Sequence, residues 1–214
     1  MPTRSRLLAI ASAVLCLGVA ACGDTSVVPG TSSASPTNAT AASPTEASTG
    51  KAVLGGPGSA FIATYGPLTN QSNPATGDLH FREYPGVAQD FLIVDLASYY
   101  GYTPANDAFS ILAAPPPGQP WSPSAAHAMC AAFFPSDAHE VNQVQVSQGG
   151  AVVGQDVIYQ SVTLAALFPA SNFMDAHQNP AQPGSFDVNY LYTPNSTGSE
   201  IDSCELLLGT QQTT

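Results

Sequence analysis

Val141-Asn142-Gln143-Val144-Gln145-Val146-Ser147-Gln148-Gly149-Gly150-Ala151-Val152-Val153-Gly154-Gln155-Asp156-Val157-Ile158-Tyr159 places two valine-rich runs around a Gly-Gly pair. A tight hairpin turn needs positive φ angles that glycine adopts without steric cost, so residues 141–146 and 152–159 read as an antiparallel hairpin. Downstream, Phe186, Val188, Tyr190 and Tyr192 alternate with Asp187, Asn189 and Leu191, the period of a half-buried strand. Residues 201–208 form the last predicted strand, with Cys204, Leu206 and Leu208 on one side.

Upstream, strands are expected at residues 79–84, 91–96 and 109–113, separated by Pro85-Gly86 and by a loop over 98–107. Pro57-Gly58-Ser59 precedes a short helix over 60–65, with Ser59 as its cap, Phe61 and Tyr65 one turn apart, and Gly66-Pro67 as its stop. Ser122-Pro123 opens a second helix with a capping hydroxyl and a proline in the first turn, running to Phe134 before Pro135. A third helical turn is expected at 163–168, and the proline-rich segment 115–120 is read as an extended link between two halves. The pattern predicts one α+β domain over 51–214, with an antiparallel sheet of six or seven strands and two or three short helices.

Residues 51–214 hold 13 of the 15 acidic residues and two basic ones, Lys51 and Arg82, a net charge of −11. Nucleic acid and anionic lipid headgroups require a basic face, so neither is an expected partner. Only 9% of the chain is charged, so Ser, Thr, Asn and Gln must supply much of the polar surface.

The chain begins with a short segment holding Arg4 and Arg6, followed by an apolar run over 7–21. That is the layout of a signal peptide, and the run is shorter than the roughly 20 apolar residues of a permanent bilayer span. It ends Val19-Ala20-Ala21-Cys22, which resembles the lipobox of bacterial lipoproteins. The resemblance implies removal of residues 1–21, a diacylglycerol on the Cys22 sulfur and an acylated new amino terminus. The competing reading is an ordinary signal peptide cut nearby. With two or three acyl chains the protein would be held stably on the extracytoplasmic face of the cell membrane.

Between Gly23 and Gly50, 12 of 28 residues are Ser or Thr and only two valines could join a core. Such a composition does not offset the entropy of ordering and reads as a tether, with a coil span of roughly 30 Å. Once Cys16 has left with the signal and Cys22 is lipidated, Cys130 and Cys204 remain, 74 residues apart. In an oxidising compartment such a pair most economically forms a disulfide, the alternative being two buried thiols.

Candidate sites are few. Asp137, His139 and Glu140, together with Asp175 and His177, offer carboxylate and imidazole ligands of the kind zinc accepts, with His139 and His177 as the metal candidates, but the spacing matches no metal motif. Alternatively they are two solvated loops. His80 beside Arg82, His127 near the cysteine pair, and the acids Asp202 and Glu205 have no recognisable catalytic partner, and no G-x-S-x-G elbow is present. Tyr99, Tyr100 and Tyr102 form a candidate binding patch, since tyrosine offers contact area with few rotors to freeze. No cofactor is assigned.

The helix ending Tyr65-Gly66-Pro67 and the strands after it, about residues 56–113, resemble the small outer-membrane assembly lipoproteins and the β-lactamase inhibitor proteins. The resemblance implies a helical segment paired with an antiparallel sheet and favours an interaction module. The sequence therefore leads to a membrane-anchored lipoprotein that binds a protein or small molecule, with a small extracytoplasmic hydrolase, with or without metal assistance, as the alternative.

Overall fold

The computed structural model describes residues 50–82, 91–194, 196 and 198–210, all within one unit, Ala42–Thr214. Cys22, the tether up to residue 49 and the Pro85-Gly86 turn lie outside the described residues. The element order is α1 (Gly58–Tyr65), β1 (Asp78–Arg82), β2 (Phe91–Leu96), β3 (Ala108–Ala114), α2 (Pro123–Ala131), β4 (His139–Gln148), β5 (Ala151–Gln160), α3 (Val162–Leu167), β6 (Ser185–Tyr192) and β7 (Ile201–Leu208). It is the expected α+β domain, with one seven-stranded sheet, entirely antiparallel, in the order β1-β2-β3-β7-β6-β5-β4.

The order has a simple origin. β1 to β3 form a meander; the chain then crosses through α2 to the far edge and returns as a second meander, β4 to β7, which ends against β3. Gly149 and Gly150, at φ 59° and 82°, make the predicted β4–β5 turn.

Register lines up the core. Leu79, Val94, Ile111, Leu206, Val188 and Val157 are cross-strand partners in one row spanning six strands, and the row ends on β4 at Gln143. A second row runs Leu92, Ala113, Cys204, Tyr190, Gln155, Gln145, and a third runs Leu208, Phe186, Tyr159, Glu140. The buried members meet Phe61 of α1, Ala126 and Cys130 of α2, Phe133 just beyond α2, and Leu164 of α3. Each large apolar side chain so enclosed contributes about 1.5–3 kcal/mol.

Several local expectations are corrected. Ser59 does not cap α1: the Ala60 N–H already donates to the Pro57 carbonyl, so the first turn closes at Pro57 and Ser59 lies inside it. α2 stops at Ala131, three residues short of Phe134, where the chain tightens to i→i+3 hydrogen bonds that send Phe133 into the core. Phe134 then packs on Tyr159 and Phe186 at 4.6 and 5.5 Å. The segment 115–120 is not fully extended, because the Gln119 N–H donates to the Pro116 carbonyl and closes a turn at Pro117-Gly118. The 98–107 loop begins in a 3₁₀ turn, Ala97–Tyr100.

Candidate functional site

The three apolar rows turn polar at one place, where α2 ends its cover of the sheet. Two anchors fix α2 over β7. Cys130 and Cys204 sit at disulfide distance with their Cα atoms 6.5 Å apart, and Trp121 exchanges backbone hydrogen bonds of 3.0 and 2.8 Å with Ile201. Ser122 accepts from the Ala125 N–H, as the sequence predicts for a helix cap. One turn before Cys130, His127 reaches sideways to β6, and its Nδ1 lies 3.3 Å from the Tyr190 hydroxyl.

Between this edge of α2 and the inward face of β4 to β6 lies a cleft of about 240 Å³. His127 forms one wall, Val157, Tyr159 and Tyr190 the floor, and Glu140, Gln143 and Gln155 the opposite wall, with Tyr192 at the mouth. Gln155 Nε2 donates to Gln143 Oε1 at 2.9 Å, a bond that uses neither the Gln143 NH₂ donor nor the Gln155 carbonyl acceptor. Gly198, at φ 86°, closes the mouth; a Cβ there would come within 3.1 Å of the Tyr192 ring. Burial first, then the charges of Tyr159 and Glu140, push the Tyr190 hydroxyl up, and burial followed by Glu140 does the same to Tyr159. Both phenols stay protonated, and that of Tyr190 meets His127 Nδ1.

The second face of the sheet carries a different set. Asp78, Asp95, Ser110, Leu207, Asp187, Ile158 and Asn142 form one cross-strand row, and His80, Ile93, Leu112, Glu205, Asn189, Asp156 and Val144 the next. His80 pairs with Asp78 at 2.6 Å. The Tyr100 hydroxyl donates to Asp95 at 3.2 Å, and the Ser110 hydroxyl reaches Glu205 at 3.5 Å. Burial raises Asp95 to about 6; the bond from Tyr100 opposes this, Asp78 adds to it and His80 opposes it. Glu205 is raised by its crowded position at mid-sheet and then by Asp95 and Asp156, with Ser110 opposing, although its side chain keeps contact with solvent.

The zinc-type cluster is not assembled as a group. Burial alone would raise Asp137, but bonds from the Ser161 hydroxyl at 2.7 Å and the Thr163 N–H at 2.9 Å outweigh it and hold its carboxylate below the ordinary range. Asp137 thus ties down the start of α3. Asp175 accepts from the N–H groups of His177 and Asn179, both at 2.8 Å, and shapes its own turn. His139 and His177 are exposed, and among the described residues no group of three or more His, Cys, Asp or Glu side chains is arranged to hold a metal ion. Of this cluster only Glu140 faces the cleft.

The tyrosine loop is divided. Tyr100 and Tyr102 pack on Phe109 with ring centroids 4.9 and 5.0 Å apart, while Tyr99, 51% exposed, leans edge-on against Tyr100. Asp202 is exposed on β7. Sequence reasoning missed Gln143, Gln155, Tyr159, Tyr190 and Tyr192 as a group. The available signal was a polar residue at each core-facing position of β4. Among the described residues no helix is long and apolar enough to cross a membrane. Comparison with protein-family models, curated proteins and solved structures found no match.

Proposed function

We propose that the chain is a lipoprotein, tethered through Cys22 to the extracytoplasmic face of the cell membrane, whose domain binds a small polar ligand in the cleft beside α2. The observation that carries the binding half is the conversion of three apolar rows into Glu140, Gln143 and Gln145 with Gln155, beneath a helix edge that presents His127. Polar side chains converging on an aromatic floor, all carried on strands and a pinned helix, are the usual make-up of a pre-formed ligand site. The anchoring half rests on the signal layout and on Val19-Ala20-Ala21-Cys22.

The hydrolase alternative would use the same cleft, whose opposite walls carry an imidazole and a carboxylate. The described residues lining it include no serine, cysteine or lysine to act as a nucleophile. A thermal-shift screen of neutral sugars, amino sugars, diamines and amino acids against the wild-type chain and Gln143→Ala tests the binding reading. A ligand that stabilises only the wild type supports it, and one consumed during the assay overturns it. For the anchor, equal detergent-phase partitioning of wild type and Cys22→Ser would refute lipidation.

A further inference from the structure

We infer that the cleft selects a ligand bearing a primary ammonium group, held at the Glu140 carboxylate, with a neighbouring hydroxyl on the Gln143–Gln155 pair. The inference rests on the cleft being a ligand site. Its first support is what the cleft lacks. The domain's two basic residues are elsewhere: Arg82 belongs to β1, at the opposite edge of the sheet from β4, and Lys51 borders a separate hollow beside Pro135 and Leu167. No described Lys or Arg lines the cleft, so an anionic ligand would find only the His127 ring as a source of positive charge, and that only when protonated.

The second support is the distribution of acceptors. An ammonium group has three N–H donors and no acceptor, so a site for it must offer several oxygens and at least one negative charge. The cleft offers the Glu140 carboxylate, the side-chain carbonyl of Gln155 and the hydroxyl of Tyr192, with the phenol rings of Tyr159 and Tyr190 beneath. The carboxylate's field reaches the floor, since Glu140 helps to raise both phenols. The third support is long-range: a domain of net charge −11 attracts cations and repels anions at every approach.

Matched probes test this on the full chain purified in detergent. Glucosamine and glucose share one ring and differ by an ammonium in place of a hydroxyl; putrescine and butane-1,4-diol make the same comparison on a flexible chain. Calorimetric titration is expected to show at least one amine bound about tenfold or more tightly than its alcohol, the scale of one charge-assisted hydrogen bond. In Glu140→Gln, with its melting temperature unchanged, that preference should vanish. Equal binding of amine and alcohol, unaltered by Glu140→Gln, overturns the ammonium inference and leaves the binding function standing. Absence of binding by both amines overturns the ammonium inference, and a wider thermal-shift screen that yields no ligand overturns the binding reading as well.

Discussion

Tyr190 of β6 and His127 of α2 meet through a 3.3 Å hydroxyl-to-Nδ1 contact, with their rings stacked 6.4 Å apart, and this contact joins the floor of the cleft to its wall. Tyr190 is 6% exposed, so its hydroxyl has little water to replace a lost partner. Tyr190→Phe should cost about 1 kcal/mol, a fall in melting temperature of roughly 2–4 °C for a domain of this size. Ligand affinity should fall with it. His127→Ala leaves that buried hydroxyl without its partner, so it should weaken binding and lower the melting temperature by at least as much as Tyr190→Phe, which differential scanning calorimetry would resolve.

How much of this was legible in the sequence differs between fold and site. The hairpin, the individual strands and the start of α2 follow from local patterns: a Gly-Gly turn, alternation in β6 and β7, a Ser-Pro helix start. The cleft does not, because it exists only after β4 is registered on β5 and β5 on β6. Gln143 reads as solvated until Val157, Val188 and Leu206 line up beside it. Proximity in sequence also grouped Asp137, His139 and Glu140, whereas the chain turns between them and gives Asp137 to α3 and Glu140 to the cleft.

The acid row on the second face sets the pH dependence of stability. Asp95 titrates near 6 when folded, against 3.8 as its ordinary value, so between these pH values the folded state holds the proton more firmly than the unfolded one. Stability is therefore greatest below about pH 4 for this group and declines as pH rises through 6. The burial of Asp156 and the crowding of Glu205 beside Asp95 and Asp156 act in the same direction. Asp137 acts oppositely, since its lowered pKa contributes stability that is lost as pH falls below the ordinary carboxylate range. Urea titrations should show a stability maximum near pH 4–5, and Asp95→Asn should flatten the decline toward pH 7 by about 1 kcal/mol after allowance for solvent screening. A decline unchanged in Asp95→Asn would remove Asp95 as its cause.

The Cys130 and Cys204 sulfurs lie between the middle of α2's last turn and the centre of the sheet, and both residues are fully buried. The exported chain should show no titratable thiol in denaturant before reduction. A bridge across 74 residues stabilises by up to ~4 kcal/mol through loop-closure entropy, so Cys130→Ala/Cys204→Ala should melt well below the wild type. Because Cys130 is one turn from His127, the double variant should also loosen the α2 wall and weaken ligand binding. Two free thiols in the native exported protein would contradict the pairing.

Gln143 separates the packing account of the cleft from the functional one. It occupies the β4 end of the row that runs through Val157, Val188, Leu206, Ile111 and Val94, so a β-branched apolar residue there would extend the row and suit a strand. Gln143→Val also removes the acceptor for Gln155 Nε2, but both amides face solvent, so that loss is small. The expected stability is unchanged or higher by as much as ~1 kcal/mol, while affinity for the cleft ligand falls at least about tenfold through loss of one amide contact. If the polar ends of the rows were mere surface, Gln143→Val would leave ligand titrations untouched. A loss of binding together with a gain in melting temperature identifies Gln143 as a residue kept for recognition at the expense of packing.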